Sequence, residues 1–357
     1  MKPVKAGFLF AILLFVTAAL AQWKAQESRV SVELRGLSVI SREVAWASGS
    51  KGAYTRTTDG GKTWQSGVVE GAESLDFRDV EAVDAHTAYL LSIGEQSRIY
   101  KTTDGGRHWT MQYSNTTPGV FFDAFAFWDA QNGIAFSDPV NGSFLIITTS
   151  DAGKTWKEVP RQSIPLPLEG EAAFAASGTC ITVQGTGNVW IGTGGAAKAR
   201  VLRSTDKGRT WAVAETPIAA GSASSGIFSL AFKDAKNGVA VGGNYRNPNQ
   251  ASDNIATTSD GGRTWKLAGR AEPLGYKSCV AYVPDTVGPT MVAVGLSGSG
   301  YSTDDGRTWT SMDTTGYNSV AFAGPDAGWA AGSGGRIVRF EELLPGAIRR
   351  SGGGPKE

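Results

Sequence analysis

Short runs in which apolar residues alternate with small or polar ones recur along this chain, separated by glycine-rich turns. This period of two predicts β-strands nearly throughout. One stretch reads as strands at Ala124 to Phe127, Gly133 to Phe136, Phe144 to Thr148 and from Trp156 onward. Another repeats the order at Leu230 to Phe232, Gly238 to Val241, Ile255 to Thr258 and from Trp265. The third strand of such a unit runs into nearly the same eight residues, Thr57-Thr58-Asp59-Gly60-Gly61-Lys62-Thr63-Trp64, with five close copies ending at Trp109, Trp156, Trp211, Trp265 and Trp309. The aspartates of this box, Asp59, Asp104, Asp151, Asp206, Asp260 and Asp304, are spaced by 45, 47, 55, 54 and 44 residues, a period that implies propeller blades. A seventh unit without a box supplies strands at Ser319 to Phe322, Gly328 to Gly332 and Arg336 to Phe340, then stops. Its fourth strand is expected from the other end of the chain, where Trp23 to Ser28 matches Trp109 to Ser114 at the Trp, the Gln and the Ser. The expected fold is therefore all-β: one seven-bladed β-propeller of four-stranded blades over residues 22–344, its ring closed by the N-terminal strand.

The two ends read differently. Lys2 and Lys5, an apolar run from Phe8 to Leu20 and the small residues of Ala19-Leu20-Ala21 predict a signal peptide over residues 1–21, cut after Ala21, with an uncleaved anchor as the alternative. The run is shorter than the roughly 20 residues of a membrane span. The mature chain is thus expected to be periplasmic or secreted, monomeric and without a transmembrane segment. Residues 345–357 read as a flexible C-terminal tail. The 34 basic and 33 acidic side chains are scattered and nearly cancel, which leaves no basic stripe for nucleic acid. Cys180 and Cys279 permit one disulfide, but the repeat places them in blades four and six, which should not touch, so buried free thiols are expected.

Within each box the Asp-x-Gly pair should form a tight turn whose carboxylate accepts local backbone N–H bonds, while the Trp begins the fourth strand and buries its ring. One carboxylate per box is too few for calcium. His86 and His108 lack a second ligand at useful spacing, so neither metal nor cofactor is expected. The phrase Ser/Thr-x-Asp-x-Gly-x-Thr-Trp resembles the Asp-box, or BNR repeat, of sialidases, sortilin-type receptors, xyloglucanases and photosystem II stability and assembly factors. His108 replaces the box Thr in the second copy. The single short propeller, the export signal and the phrase Val320-Ala321-Phe322-Ala323-Gly324-Pro325-Asp326-Ala327-Gly328-Trp329 are most similar to the photosystem II stability/assembly factor-like group. That resemblance implies binding of a protein partner or an envelope complex without catalysis. The sialidase branch would require a Tyr/Phe-Arg-Ile-Pro phrase, and the nearest string, Arg98-Ile99-Tyr100, lacks the Pro.

Propeller geometry sends the box turns to one face, and the turns between second and third strands, with the crossings between blades, to the other. On this second, upper face the expected enlarged loops are Ser137 to Gly142 in blade three, Gly185 to Lys198 with Trp190 in blade four, and Gly243 to Gln250 in blade five. The crossing from Ile164 to Glu171 is also long. Crossings bring Arg35, Arg78, Asp79, Asp123, Glu171, Tyr276, Lys277, Tyr317 and Asn318 to the starts of innermost strands, where they should ring the channel mouth. With Asp138, Asn244, Tyr245 and Arg246 they form the candidate binding face, and Trp190 and Tyr245 are the expected contact anchors. The alternative is a carbohydrate-active propeller, a sialidase-like glycoside hydrolase or lectin, with Asp123, Asp138 and Glu171 as its carboxylates and a glycan as ligand.

Overall fold

The repeated turns fold the chain into seven four-stranded antiparallel sheets arranged as the blades of a propeller, in a computed structural model that describes residues 23–94, 96–269, 274–341, 344 and 347–349. Blade one runs outward through Leu34–Val39, Ala45–Gly49, Ala53–Thr57 and Gln65–Val68. The innermost strands of the others are Phe77–Ala82, Phe122–Phe127, Ile181–Gln184, Ser225–Phe232, Cys279–Tyr282 and Ser319–Gly324. The N-terminal strand Trp23–Gln26 supplies the outer strand of the last blade, antiparallel to Ile337–Phe340, with Trp23 opposite Phe340 and Gln26 opposite Ile337. The ring closes as expected. Ser28 Oγ fastens the seam by donating to the Gly335 carbonyl at 2.5 Å.

Each second strand is sandwiched between neighbouring blades, which explains why all five residues of Ala45–Gly49 are buried. One register position on this strand carries Trp46, Tyr89, Trp190 and Trp329 in blades one, two, four and seven, each opposite a cation on the third strand: Arg56, Lys101, Arg203 and Arg339. Arg56, Lys101 and Arg339 sit 5.3, 5.0 and 5.3 Å from their ring centroids, within cation–π range. The box of the following blade packs onto the same ring. Gly262 (φ +78°) lies so near Trp190 that an added Cβ would stand 3.1 Å from the indole. Glycine is needed there for both conformation and clearance.

The box geometry follows its chemistry. Asp59 Oδ1 accepts from the Thr63 N–H at 2.9 Å and the Thr57 hydroxyl at 2.8 Å, and Oδ2 from the Thr63 hydroxyl at 2.6 Å. These bonds, the Thr63 hydroxyl first, hold the carboxyl down at about 2. His108 takes over the Thr role in the second copy, its Nδ1 2.6 Å from Asp104 Oδ2. The fourth strand starts one residue after the Trp, at Gln65 in blade one. Trp64, Trp265 and Trp309 are buried, whereas Trp109, Trp156 and Trp211 are half-buried. Trp109 stands edge-on to Trp46 and Tyr54 of the preceding blade, so the box cements neighbours as well as its own hairpin.

Three expectations need correction. In blade three the segment at Ser137 is no loop: strands Gly133–Val140 and Ser143–Thr149 extend with a bulge to a two-residue Asn141-Gly142 turn. In blade four Trp190 lies on the second strand, Asn188–Gly192, because the first is the short Ile181–Gln184, and the loop proper is residues 193–198. The cysteines are free and buried. Yet their surroundings meet, since the Thr179 hydroxyl beside Cys180 reaches Cys279 Sγ at 3.5 Å. Within the expected tail, the Val287 N–H donates to the Ile348 carbonyl at 2.7 Å and Thr286 bridges Arg349. The signal peptide over residues 1–21 and most of the remaining tail lie outside the described residues. Among the described residues no helix is long and apolar enough to cross a membrane.

Candidate functional site

The crossing into blade four does not stay on the rim. After Ala172 pairs with Gly194, residues Ala173 to Thr179 run into the mouth of the channel and fill it. Small residues make the descent possible, and every neighbour holds it. Arg78 donates to the Ala175 carbonyl at 3.2 Å and Arg35 to the Ala176 carbonyl at 3.3 Å. Phe174 stacks on Phe228 at 3.9 Å, and Tyr276 meets Phe228 edge-on at 4.8 Å. Ser177 Oγ donates to the Ser278 carbonyl at 2.8 Å, and the hydroxyls of Thr179 and Ser229 lie 2.7 Å apart. Gly178 (φ +78°) rests on Asp79, where a Cβ would come within 2.1 Å of Oδ1. The plug thereby touches blades one, two, five and six.

The acidic residues expected at the mouth are committed to this arrangement. Asp79 is buried and accepts the Phe125 N–H at 2.9 Å, and burial pushes its carboxyl well up. Asp138 accepts the Ala173 N–H at 2.8 Å and is pushed up to about 6 by burial. Asp123 is fully buried against Asp138. Burial and then the Asp138 charge keep it protonated well above the usual carboxylate range. Neither Asp123 oxygen has a hydrogen-bond partner among the described residues. Glu171 is buried in an ion pair with Arg200, whose Nε lies 2.9 Å from Oε1, and accepts from Thr193 Oγ1 at 2.6 Å and the Leu168 N–H at 2.7 Å.

The remaining predicted residues divide into seam and rim. Asn318 bridges the ring closure, donating to Glu33 Oε1 at 2.7 Å and the Leu34 carbonyl at 2.8 Å. Tyr317 donates to Asp313 at 3.2 Å. Tyr276 and Lys277 are buried. Trp190 is no contact anchor: it is 2% exposed, stacked 3.6 Å from Phe232, with its N–H on the Gly261 carbonyl at 2.9 Å. Tyr245 does present itself, 38% exposed in the long blade-five loop, with Arg246 6.0 Å from its ring and Asn244 Oδ1 accepting the Arg246 N–H at 3.0 Å. Tyr245 also leans edge-on against Phe228, so the exposed anchor rests on the ring that stacks with the plug.

Two features of this face escape a reading of the sequence by strands. The plug is one; its Ala-Ala-Phe-Ala-Ala-Ser-Gly-Thr phrase lacks alternation, the available signal. The other is a cavity of about 640 Å³ beside the bulge of blade three, lined by Phe121, Asp138, Pro139, Pro167, Leu168 and Glu169. The two prolines, brought together by the crossing and the bulge, mark its walls.

The family model of photosynthesis system II assembly factor YCF48 matches residues 16–188, which take in blades one to three and the whole plug. Over that stretch, just under half of its length, the chain is similar to the photosystem II assembly factors. Solved structures extend the likeness around the ring. YCF48 bound to D1 peptide is 16% identical with a TM-score of 0.66, covering 91% of this chain and 96% of that one. YCF48 from Cyanidioschyzon merolae is 19% identical at 0.64, covering 90% and 99%. The Cps50 (Swd1) β-propeller domain of Myceliophteria thermophila is 11% identical at 0.57, covering 88% and 98%. No curated protein matches. At such identities the structures carry the fold, and the function must rest on the upper face.

Proposed function

We propose that this chain is an exported, non-catalytic propeller whose upper face binds a protein partner and aids the assembly or stability of an envelope complex. The observation that carries the proposal is the plugged mouth. Asp123 is buried with its carboxyl raised, Glu171 is held in an ion pair with Arg200 and Asp138 accepts the Ala173 N–H, while the blade-five loop offers Tyr245 and Arg246 to solvent. An exposed aromatic beside a guanidinium on a supported loop suits the contact chemistry of protein interfaces. The assembly-factor family model and the like-folded YCF48 bound to D1 peptide support a peptide segment as the occupant. Export rests on the signal-peptide pattern of residues 1–21, and its test is the mass of the mature protein recovered from periplasm or medium.

The binding test is crosslinked capture from the native envelope, comparing the wild-type chain with Tyr245→Ala/Arg246→Ala. A specific protein captured by the wild type and lost from the double variant is expected; identical profiles would sink the proposal. One observation favours the carbohydrate reading: Asp138, raised to about 6, lines the 640 Å³ cavity. Glycan hydrolysis that disappears in Asp138→Asn would move the chain to that class.

A further inference from the structure

Lys277 is charged, buried and poorly satisfied. It is 2% exposed, and among the described residues its ammonium makes one long hydrogen bond, to Ser297 Oγ at 3.3 Å. An ammonium carries three donors, so most of its hydrogen-bonding capacity faces the adjoining cavity of about 220 Å³. The walls are neutral and polar: Asn249 from the blade-five loop and Ser297, Ser299 and Ser311 from blade six, closed by Leu274. Among the described residues Asp313 acts on Lys277 by its charge, without an ion pair between them. Its two oxygens accept from Ser299 Oγ at 2.8 Å and the Tyr317 hydroxyl at 3.2 Å. Burial accordingly pushes the amine down to about 8. A buried cation costs stability unless an anion meets it.

We propose that this cavity is a carboxylate pocket that takes an acidic side chain of the partner's peptide, an inference that rests on the protein-binding reading above. A single carboxylate balances the single cation, and the serine hydroxyls supply further donors. A phosphate dianion would leave a net charge beside the single cation. The Asn249 wall belongs to the loop that displays Tyr245 and Arg246, so a segment anchored on those two residues has the pocket beside it.

The test uses the mature chain with carbon-13-labelled lysine, the Lys277 signal being assigned by its loss in Lys277→Met. N-acetyl-glutamate amide is titrated against its neutral counterpart, N-acetyl-glutamine amide. The expected result is a saturable shift of the Lys277 ε-carbon with the acid and a response weaker by about tenfold or more with the amide. Ser297→Ala, a milder change, should fold normally and weaken the response. Lys277→Met should remain folded with a raised unfolding midpoint, because it removes an unbalanced buried charge. Equal responses to the two compounds, or none, overturn the pocket. Partner capture that fails in Tyr245→Ala/Arg246→Ala but survives in Lys277→Met also overturns it while leaving the protein-binding reading intact. A glutamate-selective shift with no captured partner overturns that reading, and the peptide as occupant with it.

Discussion

At the scale of single residues, the fold holds carboxyls displaced in opposite directions. Box aspartates such as Asp59, held at about 2, favour the folded state above the ordinary carboxylate pKa, and that contribution is lost as pH falls toward 2. Asp138 and Glu81, raised by burial to about 6 and about 7, work the other way. Their contribution is complete at low pH and is lost as pH rises through those values, because the folded state must then ionise buried acids that the unfolded chain ionises in water. The urea midpoint should therefore fall between about pH 4 and about pH 7, and Asp138→Asn should reduce that fall. A flat profile in the wild type would show that these acids ionise freely. The sequence placed Asp79, Asp123 and Asp138 on the upper face. It could not show that Asp79 and Asp123 are covered, because the cover comes from a segment with no strand period.

At the scale of elements, the repeat made most strands legible, and blade four shows where that reading stops. The innermost strand is the short Ile181–Gln184, and with residues 185–198 read as an enlarged loop Trp190 falls outside any strand. The correct register was available in Arg203, which directly precedes the box Ser204 as Arg56 precedes Thr57; the residue opposite such a cation is the interblade aromatic. Trp190→Ala should thus act on stability, costing about 3–5 kcal/mol as large-to-small changes in packed cores do. Chemical denaturation measures it, and an unchanged midpoint would restore Trp190 to the binding face. Removal of residues 23–28 should lower the unfolding midpoint and promote self-association, since Ile337–Phe340 would become a bare edge. Light scattering beside thermal melts reads both effects.

At the scale of the whole molecule, interactions between adjacent blades alone would make the ring a chain of local contacts, able to loosen sector by sector. The plug adds bonds that run across the axis, joining blade four to blades one, two, five and six. One cooperative unfolding transition is expected, with fluorescence and circular dichroism changing together. Gly178→Val, which forces a branched side chain into a positive-φ site against Asp79, should destabilise by more than about 1 kcal/mol. If only the mouth loosens, partial proteolysis should cut first within Ala173 to Thr179.

The plug is also a gauge of diameter. Its seven residues bridge one particular bore, touching Ser278 on one side and Asp79 on the other. Gain or loss of a blade, the commonplace variation by which repeat architectures grow and shrink, would leave this segment too short to reach or too bulky to enter. A lineage that has acquired such a segment can still remodel its rim, but it can no longer change its number.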